Sequence, residues 1–103
     1  MLHIADCPSW VEAGRRVRSA LDSLGRDDVE VGFRLISTPD DAAGSGFAGS
    51  PTILADGSDL FDGEPTAELA CRVYRTPTGF AGAPTTEMIA AELAQRARRP
   101  DPR

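Results

Sequence analysis

The chain contains no lysine; all eleven of its basic residues are arginine. A substitution that complete reads as the codon bias of a GC-rich genome rather than as chemistry. The sixteen acidic residues leave a net charge of -5, and no basic face is available for a nucleic acid. Cysteine is scarce: Cys7 and Cys71 are the only two. Two thiols do not make a disulfide framework, so each is expected to be reduced and either catalytic or buried. No apolar run approaches the length of a membrane span, and the opening MLHIAD has no basic leader. Neither a signal peptide nor a membrane partner is expected, and the expected location is cytoplasmic. There is no internal repeat. What remains is ordinary for a globular chain: 103 residues, 41% apolar and 26% charged, enough for one domain with one core.

The apolar spacing orders the elements. Residues 2 to 6 predict a short strand. From Trp10 the period changes to three and four, through Ala13, Gly14, Val17, Leu21 and Leu24. That predicts a helix with Pro8 in its first turn and Gly25 as its left-handed stop. Residues 29 to 36, VEVGFRLI, alternate as a strand with Val29, Val31, Phe33 and Leu35 on one side. Thr38 and Pro39 open a short second helix. The strand TILA, 52 to 55, ends at an Asp56–Gly57 turn. An irregular stretch leads to a strand at 71 to 76, CRVYRT, then to a Gly/Pro-rich connection from Pro77 to Pro84. The last helix spans 86 to 98, with Met88, Ile89, Leu93 and Ala97 inward. Glu87 in its first turn and Arg96, Arg98 and Arg99 in its last suit the helix dipole. The tail 99 to 103 is expected to fray. The order β-α-β-α-β-β-α, with right-handed crossovers, predicts an α/β domain over residues 1 to 98. Its expected architecture is the minimal thioredoxin fold, a mixed four-stranded sheet flanked by helices.

Cys7 stands where the first strand gives way to the first helix. A thiolate is the nucleophile, and unpaired amides at a helix N-terminus favour it. Asp6 works against the second charge. Cys7 is therefore the candidate nucleophile, its sulfur expected at the helix end and reachable by solvent. His3 is a poor base for it, roughly 13 Å away along an extended strand. The second signal is Ser50–Pro51–Thr52, a proline just ahead of an apolar strand. In thioredoxin-like proteins such a proline is cis and packs beside the reactive cysteine, so resemblance to that element order implies a cis Ser50–Pro51 bond with Pro51 near Cys7.

The whole chain resembles a family of small, mostly actinobacterial thioredoxin-like proteins, the DF-family (seleno)protein type. The matching stretches are DCPSW at 6 to 10, GFAGSPTIL at 46 to 54, DG at 56 to 57, CRVYRTP at 71 to 77 and GAPT at 82 to 85. Some members place selenocysteine at the position of Cys7, which implies redox or nucleophilic work there, and some relatives carry an alkylmercury lyase label. The departure from thioredoxin proper is Trp10, which stands where a C-x-x-C pair would put its second thiol.

Trp10 reads either as the first core residue of its helix or as a wall of the thiol pocket. With Ser50 and Pro51 it makes up the candidate substrate-binding set. Cys71 is a candidate resolving or structural cysteine. If CRVYRT runs antiparallel to TILA, Cys71 lies at the far end of the sheet, more than about 10 Å from Cys7. It then reads as a buried strand residue, unless segment 57 to 70 folds back over the sheet. The expected function is that of a one-cysteine thiol redox protein, resolved by a low-molecular-weight thiol or a redox partner protein. No cofactor or resident metal is expected. Two alternatives stand beside it. Organomercurial cleavage or soft-metal handling would use both thiols and Asp6, against the expected separation. A non-catalytic binding module would keep only the fold.

Overall fold

The computed structural model describes residues 1–98 as an α/β domain with three helices and short paired strands. The elements are β1 (Leu2–His3), α1 (Ser9–Ser23), β2 (Arg34–Leu35), α2 (Pro39–Ala42), β3 (Leu54–Ala55), β4 (Ser58–Asp59), β5 (Tyr74–Thr76), β6 (Gly79–Ala81) and α3 (Thr86–Arg98). The tail expected to fray, 99–103, lies outside the described residues, as do the side chains of Ala97 and Arg98. Among the described residues no helix is long and apolar enough to cross a membrane.

The helices end where local chemistry stops them. Pro8 is the N-cap of α1. At the other end Arg26 N–H donates to the Leu21 carbonyl and Gly25 N–H to that of Asp22, the paired bonds of a Schellman stop, with Gly25 at φ 72°. In α2, Thr38 and Asp41 form a reciprocal capping box around Pro39. At α3 the Thr85 hydroxyl accepts from the Met88 amide, one turn on.

The strands form three two-stranded sheets rather than one ladder of four. β1 pairs in parallel with β2, β3 antiparallel with β4, and β5 antiparallel with β6. Single-residue bridges connect them: Leu2 lies antiparallel to Thr52, and Ser50 parallel to Cys71. The expected four-stranded pairing fails at Asp56–Gly57. Both residues take positive φ, 53° and 84°, and turn the chain straight back, so β3 pairs with Ser58–Asp59 and not with CRVYRT. The second half of CRVYRT, Tyr74–Thr76, pairs instead with Gly79–Ala81, inside the stretch expected to be a connection.

The period of two along the strands divides the core between two faces. Leu2, Ile4, Ile36 and Phe47 pack with Ala42 of α2, with Leu54 and Leu69 against them. Met1, Ile53 and Ala55 face the opposite way, towards Val17, Ala20 and Leu21 of α1 and Ile89 of α3. Val29 and Val31 join this second group. The expected inward face of 29 to 36 holds only for its first half: Phe33 and Leu35 are half-exposed, and Ile36 is the buried residue. Leu24, expected on the buried stripe of α1, is also partly exposed.

Gly49 is where the chain can least take a side chain. Its φ is 103°, and a Cβ there would lie 2.7 Å from Cβ of Arg72 and 3.2 Å from its Cα. Gly57 has φ 84° but open space around it. Gly49→Ala should therefore lower stability by at least about 2 kcal/mol, and Gly57→Ala by less, since it carries only the backbone strain. Urea midpoints check this; equal losses would mean that close approach to Arg72 contributes nothing.

Candidate functional site

Cys7 lies where the sequence places it, directly ahead of the N-cap of a fifteen-residue helix. No side chain caps that end, and the Val11 amide of the first turn donates to the Pro8 carbonyl at 3.2 Å. The positive end of the dipole favours a thiolate there, while burial opposes one. The expectation of an accessible sulfur is corrected: Cys7 is 2% exposed, enclosed in the cluster of Leu2, Ile4, Ile36 and Phe47.

The larger correction concerns Cys71. It is disulfide-bonded to Cys7, with Cα atoms 5.9 Å apart, not at the far end of the sheet. Nor is it buried; Cys71 is an exposed residue. The reason is chain direction. Because β4 takes the place beside β3, the chain from Leu60 onward is free to return. Thr66 N–H donates to the Phe47 carbonyl at 2.8 Å, and Leu69 packs on the cluster that holds Cys7. Residues 70 to 72 then enter parallel to Ser50. Ser50 N–H donates to the Ala70 carbonyl at 2.9 Å, and Arg72 N–H donates to the Ser50 carbonyl at 2.8 Å. A parallel entry brings Cys71 in at the Cys7 end.

The Ser50–Pro51 bond is cis, as the sequence predicts. Pro51 is fully buried and follows the residue bridged to Cys71. Ser50 is 1% exposed, and its hydroxyl accepts the Ile4 amide at 3.0 Å. Its polar groups are thus engaged within the chain. Trp10 stacks on His3 with ring centroids 4.0 Å apart and meets Phe33 edge-on. It lines a shallow cleft with Val11, Gly14 and Phe33, in which neither cysteine takes part. His3 is a buried strand residue under that stack, its Nδ1 without a hydrogen-bond partner. Asp6 is exposed in the turn before Cys7. A second cleft of about 580 Å³, between α1, α3 and residues 29 to 32, is lined largely by apolar side chains and again by neither cysteine.

Three residues that hold the site escaped the sequence reading. Arg72, Asp59 and Tyr74 fix the strand that carries Cys71. The Arg72 guanidinium meets the Asp59 carboxylate at 2.7 Å, with both side chains about nine-tenths buried. The same carboxylate accepts the amides of Phe61 and Gly63. Arg72 also lies over the Tyr74 ring, 4.5 Å from its centroid, and the Tyr74 hydroxyl donates to the Pro51 carbonyl. The signal was the alternation of CRVYRT. Cys71, Val73 and Arg75 face outward, whereas Arg72 and Tyr74 face inward, where polar groups require partners.

Among the described residues no group of three or more His, Cys, Asp and Glu side chains gathers as a metal site would require. No family model matches the chain, no curated protein matches it, and no solved structure matches it.

Burial raises the Tyr74 phenol well above its ordinary value; the nearby Arg72 charge opposes the shift and Asp59 adds to it. The neutral hydroxyl is the form that donates to Pro51. A raised folded value means that its stabilisation is complete below about pH 10 and is lost as pH rises from there towards the folded value. Tyr74→Phe should cost about 1–3 kcal/mol at neutral pH by leaving the Pro51 carbonyl unpaired. It should also remove the phenol's share of the alkaline decline. Tyr74 is the only tyrosine, so phenolate absorbance reports it alone. Urea midpoints against pH check the rest; an unchanged alkaline slope in the variant would contradict the assignment.

Proposed function

We propose that this chain is a thiol–disulfide exchange protein whose redox pair is Cys7 and Cys71. The observation that carries the reading is the join itself: an exposed cysteine bonded to one at a helix N-terminus. A purely structural staple needs neither feature. Exposure leaves a disulfide open to an attacking thiolate, and a helix N-terminus makes the released sulfur a better leaving group. With both thiols in one chain, the resolving thiol comes from within the pair and not from outside the chain. The partners that suit this chemistry are low-molecular-weight thiols or a redox protein carrying a dithiol.

The thioredoxin-like reading of the fold belongs to the same proposal. Its support is a parallel β1–β2 pair crossed by α1, an antiparallel contact of Leu2 with Thr52, and a proline opening that third segment next to the redox pair. The resemblance to the DF-family (seleno)proteins, with selenium at the position of Cys7, points in the same direction. Soft-metal handling is the second reading. Two sulfurs this close remove the separation that stood against it. The closed disulfide favours exchange, because a metal-binding pair must first be opened.

Equilibration in thiol/disulfide buffers, read by intact mass after acid quench and alkylation, tests the reading. The expected result is one reversible two-electron transition between an unmodified and a doubly alkylated protein, abolished by Cys7→Ser and by Cys71→Ser. A pair that cannot be reduced without unfolding the protein would make it a structural staple. A reduced pair that binds mercuric ion stoichiometrically and does not reoxidise would favour the metal reading.

A further inference from the structure

The two cysteines of the pair differ in exposure, and that difference bears on the order of chemistry. Cys7 is 2% exposed, under Leu69 and the apolar cluster on one face of the strands. Cys71 is exposed, on the outward side of a strand segment whose inward side is fixed by Arg72 and Tyr74. Exchange requires a thiolate to reach one sulfur while the other departs. Resting on the exchange reading above, we infer that Cys71 is the sulfur a reductant attacks and Cys7 the sulfur that leaves. This reverses the roles that the position of Cys7 ahead of a helix suggests.

The step balances as follows. A thiolate of a dithiol reductant attacks Sγ of Cys71. A mixed disulfide forms on Cys71, the Cys7–Cys71 bond breaks, and its electron pair goes to Sγ of Cys7. The Cys7 thiolate is released at the N-terminal end of α1, where the positive end of the helix dipole favours negative charge. The reductant's second thiol then attacks its own sulfur in the mixed disulfide. The Cys71 thiolate leaves, the reductant departs as a disulfide, and two electrons have passed to the protein. Oxidation by a disulfide substrate runs the same steps backwards, with Cys71 making the first attack and Cys7 closing the ring.

The backbone geometry supports this division. The bonds between Ser50 and residues 70 to 72 hold Cys71 in place without using its side chain. Its sulfur is thus free to carry a partner while the main chain stays docked. Cys7 lies in the apolar cluster with Phe47, against which Leu69 packs.

The test uses oxidised wild-type protein. It is mixed briefly with a limiting small monothiol, glutathione, quenched in acid, alkylated and mapped by peptide mass spectrometry. The expected intermediate carries glutathione on Cys71 and the alkyl group on Cys7. In single variants, Cys7→Ser should keep rapid reaction of Cys71 with glutathione disulfide, and folded Cys71→Ser should lose rapid reaction at Cys7. Glutathione found on Cys7, with Cys71 alkylated, overturns the assignment but leaves the exchange reading intact. A disulfide that stays closed to every thiol under native conditions overturns both.

Discussion

Two backbone hydrogen bonds decide what this molecule can do. Ser50 donates to Ala70 and accepts from Arg72, and through them residues 70 to 72 lie parallel to the segment that opens β3. Had that contact been antiparallel, Cys71 would stand at the other end of the strand, too far for a disulfide. Gly49 permits the approach because it lacks a Cβ, and the Arg72–Asp59 pair and the Tyr74 hydroxyl secure it from the inner side. Everything proposed for the two thiols rests on this clamp.

The disulfide closes a sequence separation of 64 residues. In the chain-entropy account a loop of that length contributes about 4 kcal/mol. That is a large part of the 5–15 kcal/mol by which native domains are stable. A pair that cycles must survive its loss, so the reduced fold needs other ties. The buried ion pair is one: removing either partner of such a pair costs about 3–5 kcal/mol, because the other charge is left stranded. The capped helices and the two apolar clusters supply the rest.

Much of this was legible in the sequence, and the part that was not has a definite cause. Helix positions followed from spacing and capping residues: Thr38 with Pro39, Gly25 after α1, and the 86 to 98 span of α3 all stand as read. The strand-to-helix change marks Cys7 as one edge of the site, and Ser50–Pro51–Thr52 marks the other only in combination with Cys7 and the element order. Strand pairing differs from the expected order because Asp56–Gly57 closes a hairpin and not merely a turn. Two residues of positive φ between short extended pieces specify a hairpin, and it displaced CRVYRT from the edge of β3. Once that edge was lost, the direction and burial assigned to Cys71 were lost with it. Arg72, Tyr74 and Asp59 were out of reach for a different reason. The alternation of CRVYRT turns Arg72 and Tyr74 inward, but their partners Asp59 and Pro51 lie thirteen and twenty-three residues away in sequence, and the alternation does not name them.

The central claim is that the backbone clamp, and not the disulfide, brings the two sulfurs together. Amide hydrogen exchange at Ser50 and Arg72, measured on oxidised and on fully reduced native protein, tests it most directly. Both amides should stay strongly protected after reduction, because their partners are main-chain carbonyls that the reductant does not touch. If both instead exchange at the rate of exposed loop amides once the disulfide opens, the sulfur bond holds the clamp. Residues 70 to 72 would then lie beside Ser50 only while the protein is oxidised, and the account of a poised pair would be wrong.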